Sequence, residues 1–190
     1  MTEADRLPPL PLESMDDAQR AAAEELIAGP RKAVKGPFIA LLRSPELLSR
    51  VQRVGELLRF GSVLPQRLNE WATLVVSRSW TQQFEWAVHT PLAMKAGVAR
   101  ESVESLREGR RPRSMAEDEA VVHDFAVELM HHKGVSDATY GEAVRLLGER
   151  GVVELTTLIG YFVMLSMVLN VAHTPAEKGS EVASLPPLPR

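Results

Sequence analysis

Apolar residues recur every three or four positions along most of this chain, and almost nowhere in strict alternation, so the pattern predicts helices and no sheet. Asp16 or Asp17 can cap AQRAAAEELIA, which stops at Gly29-Pro30. A short apolar piece, FIALL, follows KGPF. Ser44-Pro45 then places a capping residue before a proline at the first helical position. From there Leu47, Leu48, Val51, Val54, Leu57 and Leu58 keep helical spacing until Gly61. Pro65 opens the next helix, with Leu68, Trp71, Ala72, Val75 and Val76 on its inner stripe. The spacing predicts further helices over 82–96, 102–107, 116–132 and 137–150, closed near Gly97, Gly109, Gly134 and Gly151. The fold class is all-α, a single-domain helical bundle of about eight helices.

The last element differs from the rest. LTTLIGYFVMLSMVLNVA (155–172) runs eighteen residues without a charge, at the lower limit for a membrane span. It lacks basic or aromatic flanks at both ends and carries Thr156, Thr157, Ser166 and Asn170, so a buried core helix or subunit interface is expected. One bundle needs only a single apolar stripe from it, and the surplus points to a homo-oligomer. The ends are proline-rich, LPPLPL at 7–12 and LPPLPR at 185–190, and favour an extended course. The expected organisation is an extension with one short helix over 1–34, a helical domain over 35–172 and a tail over 173–190.

Composition narrows the function. A net charge of −3 gives no reason to expect a nucleic-acid or anionic-membrane partner. Arg107, Arg110, Arg111 and Arg113 form a basic run, but it falls in a loop with glycine and proline and reads as a solvated connection. The absence of cysteine removes thiolate nucleophiles, disulfides and cysteine-based metal sites together. The start, MTEADRLPPLPLESMDD, has no secretory-signal pattern, so a cytoplasmic location is expected.

The chemistry concentrates in QQFEWAVH (82–89), where Gln82, Glu85 and His89 share one helical face beside Trp86. A Glu–His pair at this spacing is a metal half-site, an acid/base couple or a solvated surface pair, and spacing alone does not choose. No H-E-x-x-H and no second E-x-x-H accompany it, so no metal is expected. His123 beside Asp124, and His131-His132 at a helix end, read as surface or end-capping residues. Tyr161 and Asn170, inside an apolar helix, need partners or face a pocket.

The run RLNEWATLVVSRSWTQQFEWAVHTPLAMKAGV (67–98), with KGPFIALLRSPELL upstream and YGEAVRLLGERGVVELTTLIGYFVMLSMVLN downstream, resembles the carboxymuconolactone decarboxylase and alkylhydroperoxidase D-like family. That resemblance implies an all-helical fold assembled into oligomers. In the peroxidase branch a Glu lies twelve residues before a Cys-x-x-Cys pair, and a His follows four residues after it. On this chain the Glu falls at Glu70, the cysteines at Gln82 and Glu85, and the His at His89. Thiol peroxidase chemistry is therefore missing its nucleophile, and the resemblance implies a cysteine-free decarboxylase-like lyase instead. Its expected catalytic residues are His89, Glu85 and Glu70, with Gln82, Trp86, Tyr161 and Arg78 binding a small carboxylic acid or lactone, in the setting of aromatic-compound catabolism. No cofactor is expected, and a dimer, trimer or hexamer is. The alternative is a non-catalytic, ligand-binding oligomeric member.

Overall fold

A computed structural model describes residues 4–176 and 182–187. Residues 188–190 of the second proline-rich stretch, and 177–181 before it, lie outside the described residues. The described chain is all-helical, in agreement with the periodicity. A 3₁₀ turn, Leu12–Ser14, precedes α1 (Asp17–Ala28), α2 (Pro37–Leu41) and α3 (Pro45–Glu56). A π-helical turn, Leu57–Gly61, continues α3. Then come α4 (Gln66–Ser79), α5 (Gln83–Lys95), α6 (Arg100–Arg107), α7 (Glu117–His132) and α8 (Asp137–Ala172).

Local chemistry sets several of these boundaries. Asp16 is the cap of α1: its side chain accepts from the Gln19 backbone, while Gln19 reaches back to the Asp16 amide at 3.0 Å. Pro45 occupies the first turn of α3 as expected, although the Ser44 side chain makes no capping bond. The break expected near Gly151 falls three residues earlier. Gly148 adopts φ 69° and ψ 167°, a conformation open to glycine, and splits α8 into two segments.

The core is organised around α4, which packs against α5, α7 and α8. Every residue from Leu68 to Arg78 is buried, so α4 hides its polar face as well as its apolar stripe. A helix buried all round must find partners for each polar side chain on it. Asn69 donates to the Leu58 carbonyl at 2.5 Å, and Thr73 and Ser77 each bond back to the carbonyl four residues before. The remaining buried ionisable groups of α4, Glu70 and Arg78, are the informative ones.

α8 contains the one segment among the described residues long and apolar enough to cross a membrane, with mean hydropathy 2.0. Half of that window is buried inside this chain, against α2, α4 and α7, as in a core helix. The other side is exposed: Val153, Thr157, Gly160, Met167 and Val171 face outward, with Met164 partly covered between them. Their spacing of four, three, four, three, four places them on one face of α8.

The first proline-rich stretch and the described part of the second are seated on the bundle. Arg43 donates to the carbonyls of Leu7 and Pro8, and the Arg6 amide to that of Ala172. Residues 182–187 cross α4, α5 and α6. Leu185 is buried there, and its backbone exchanges two hydrogen bonds of 2.9 Å with the Gln83 side chain.

Leu155, fully buried where α8 meets the core, tests the packing. Leu155→Ala removes most of an apolar side chain from a site with no room to collapse, and a loss of about 2–5 kcal/mol in urea unfolding is expected. A loss below half a kilocalorie would mean that α8 is not a core helix.

Candidate functional site

Glu70 and His89 sit on adjacent helices, α4 and α5, whose packing brings the side chains together. His89 Nδ1 lies 2.5 Å from Glu70 Oε2, and His89 Nε2 lies 3.2 Å from Glu85 Oε2. The Glu85 contact is the i,i+4 pair legible in the sequence, one turn of α5 apart. The Glu70 contact spans 19 residues and exists only because α4 and α5 pack. All three side chains are buried, Glu70 completely. Gln66, one turn before Glu70, donates to its second oxygen at 2.6 Å and fixes the carboxylate plane. The ring of Phe162 from α8 meets His89 edge-on at 5.1 Å and closes the remaining side of the imidazole.

With a carboxylate oxygen on each nitrogen, the imidazole is held as a donor on both sides, which favours its protonated form. Burial pushes the His89 pKa down, but the hydrogen bonds of Glu70 and Glu85 outweigh it and leave histidine above its ordinary value. Burial likewise pushes Glu70 up, and the bond and charge of His89, with Arg59 and Gln66, more than reverse this. The pair is thus a buried carboxylate–imidazolium couple, with Glu85 on the other nitrogen of the imidazole.

Beside the couple is a cavity of about 470 Å³, within the range of small-molecule sites. Glu85, His89, Tyr161 and Phe162 line it, as do the apolar Phe38, Phe84 and Leu165. Glu70 stands behind His89 and outside the lining, so the three groups form a line from the core to the cavity. Pro91 lies inside α5 and deprives the Ala87 carbonyl of its helical donor; both residues are in the wall. Among the described residues no group of three His, Asp or Glu is arranged to hold a metal ion.

The other residues singled out from the sequence separate into two sets. Tyr161 is in the cavity wall, and burial pushes its phenol up to about 12, so it remains protonated. Its OH accepts from Arg31 at 3.4 Å. Gln82, Trp86 and Arg78 are buried but do not line the cavity. Gln82 caps α5 by accepting from the Phe84 amide, and donates at 2.8 Å to Asn170, which is exposed near the end of α8. Trp86 donates to the Ala183 carbonyl at 3.1 Å, and Arg78 to the Pro186 carbonyl at 3.0 Å. These three hold the 182–187 segment and the start of α5 in place. His123, expected at the surface, is buried and stacks on Trp71 with ring centroids 6.2 Å apart. Burial holds its pKa down against the favourable contact with Asp124.

Two cavity residues were not anticipated. Arg31 comes from the loop between α1 and α2, and Arg59 from the π-helical turn after α3. Helical periodicity gives a loop arginine no direction. Arg59 did carry a signal, as a cation inside the apolar run LLRF. Widened turns of this kind often mark functional sites, because they rotate one side chain out of register. Gly55 on α3 makes room for this wall: a Cβ there would lie 2.0 Å from the Tyr161 hydroxyl and 2.5 Å from Arg31.

Residues 45–128 match the model of the carboxymuconolactone decarboxylase family. No curated protein matches the chain. The matched segment contains Arg59, Glu70, Glu85 and His89, while Arg31 and Tyr161 fall outside it.

The couple predicts a pH signature. A raised His89 value stabilises the fold fully below the unfolded value of 6.5 and loses this as pH climbs through the folded value. A lowered Glu70 value stabilises fully above 4.5 and loses this as pH falls through its folded value. The stability gap between wild type and His89→Gln in urea is therefore widest between pH 4.5 and 6.5 and narrows on both sides. A gap independent of pH would show that the ion pair does not form.

Proposed function

We propose that the chain is a lyase of the carboxymuconolactone decarboxylase type, on the match of its residues 45–128 to that family's model. In this reading it moves a proton onto carbon in a small carboxylic acid or lactone. The observation that carries the reading is His89 held between two carboxylates at the wall of a cavity. Glu70 keeps the imidazole protonated and oriented from the buried side. Glu85 and the Nε2 proton face the substrate side. Loss of CO2 from a carboxylated lactone breaks one C–C bond and leaves its electron pair in an enolate conjugated with the ring carbonyl. His89 then gives its Nε2 proton to that carbon, directly or through Glu85, and regains one from water. The protonated Tyr161 supplies a hydrogen-bond donor for the enolate oxygen. A thiol peroxidase cycle is not available to these residues, since the chain has no cysteine.

Decarboxylation of carboxymuconolactone, followed by loss of the substrate's ultraviolet absorbance, tests the assignment. Wild type is expected to turn over, and His89→Ala and Glu85→Gln to lose about 10²–10⁴-fold in kcat. An inert wild type removes this substrate, and an unimpaired His89→Ala removes the mechanism.

The reading extends to assembly. The exposed seam on α8, with Gly160 at its middle leaving open space, supports pairing with the same helix of a second copy. Light scattering is expected to give a multiple of the 21.0 kDa chain mass, and Gly160→Glu to give the monomer. A monomeric wild type at micromolar concentration would contradict it.

A further inference from the structure

A guanidinium taken out of water is normally paired with an acid, because an unpaired buried charge is costly. Arg31 and Arg59, both half-buried, depart from this. Among the described residues neither makes a salt bridge, and the Nε of each is buried without a hydrogen-bond partner. Arg31 lies over the Phe38 ring at 4.5 Å, and Arg59 over Phe60 at 5.3 Å, so aromatic faces hold the planes where acids would normally do so. Both line the cavity that Glu85 and His89 reach. Burial holds the Arg31 pKa below its ordinary value, and the charge of Arg59 adds to this against the opposing pull of Tyr161, Glu85 and Glu56. Glu70 and Glu85 are both engaged by His89, which donates a hydrogen bond to each. Counting Glu70, Glu85, His89, Arg31 and Arg59 together, the site carries one net positive charge, which an anion in the cavity would meet.

We propose that Arg31 and Arg59 are the specificity-determining residues of this site, forking a substrate carboxylate between them while its flat apolar body lies against Phe38, Phe84 and Phe162. The proposal rests on the lyase reading for what happens next, but not for binding. Two parallel N–H···O bonds from a guanidinium fix the plane of a carboxylate, which a lysine cannot do. With the carboxylate anchored, the carbon skeleton is presented to Glu85 and His89 rather than to the cavity mouth. Arg31 belongs to the segment before residue 45, so the matched family segment supplies the proton chemistry and a flanking loop helps to choose the molecule. Tyr161 and Gly55 complete the device. The phenol takes the 3.4 Å bond from Arg31, and the missing Cβ of Gly55 leaves both groups their room.

Binding of 2-furoate and of its uncharged amide, 2-furamide, to the full chain by isothermal titration calorimetry tests this without turnover. Wild type is expected to bind the carboxylate about tenfold or more tighter than the amide. Arg31→Gln and Arg59→Gln should each lose about that factor for 2-furoate and nothing for 2-furamide. Arg50→Gln, an exposed arginine paired with Glu46, should change neither. The comparison of the two probes on wild type stands even if a variant misfolds. Equal affinity for acid and amide, no binding of 2-furoate, or full affinity in Arg31→Gln would overturn the proposal. Carboxylate-selective binding that survives in His89→Ala, in a wild type inert toward carboxylated lactones, would uphold it and remove the lyase reading alone.

Discussion

The contact between Glu70 and His89 is the constraint around which this molecule is arranged. It joins α4 and α5 at full burial, where either group alone would be a severe liability. Removing one partner leaves a charge in the core, so the two helices are committed to one register and one separation. Gln66 is spent on orienting Glu70, and Phe162 seals the imidazole from α8. The polar inner face of α4, which would otherwise argue against burying that helix all round, follows from the same commitment.

Much of this was legible in the order of residues, for a definable reason. Glu85 and His89 are one helical turn apart, so local geometry alone puts them on one face. Glu70 was recoverable because a family pattern fixed its distance from His89, where helical periodicity did not. Arg31 and Arg59 escaped because a long side chain on a loop or a π-helical turn has no periodicity to declare its direction. Arg78 shows the converse. It sits a turn before the Glu/His helix, yet its side chain donates to the Pro186 carbonyl and does not line the cavity. Gln82 is a cap, and the position directly before the first helical amide is the signal for that role. His123 was assigned to the surface from the acid beside it, whereas its ring direction was set by Trp71.

The division of labour within the cavity follows from these origins. The acid/base groups are on two packed helices, which hold geometry well. The cations come from a loop and a widened turn, elements that tolerate substitution better than a packed helix does. In the proposed lyase, this layout would allow the substrate to change while the chemistry is retained.

The docked 182–187 segment has a temporal meaning as well as a mechanical one. Gln83 and Trp86, on either side of Glu85, are gripped by backbone roughly a hundred residues further along, with separations of 102 and 97. Contacts of such range close late in folding, because a long loop must first be ordered. On a growing polypeptide, α4 and α5 would thus emerge with Glu70 and His89 in place, while the start of α5 lacks its outer clasp. The proton-handling pair is then assembled early, and the helix that carries it is made rigid only when the last described segment arrives.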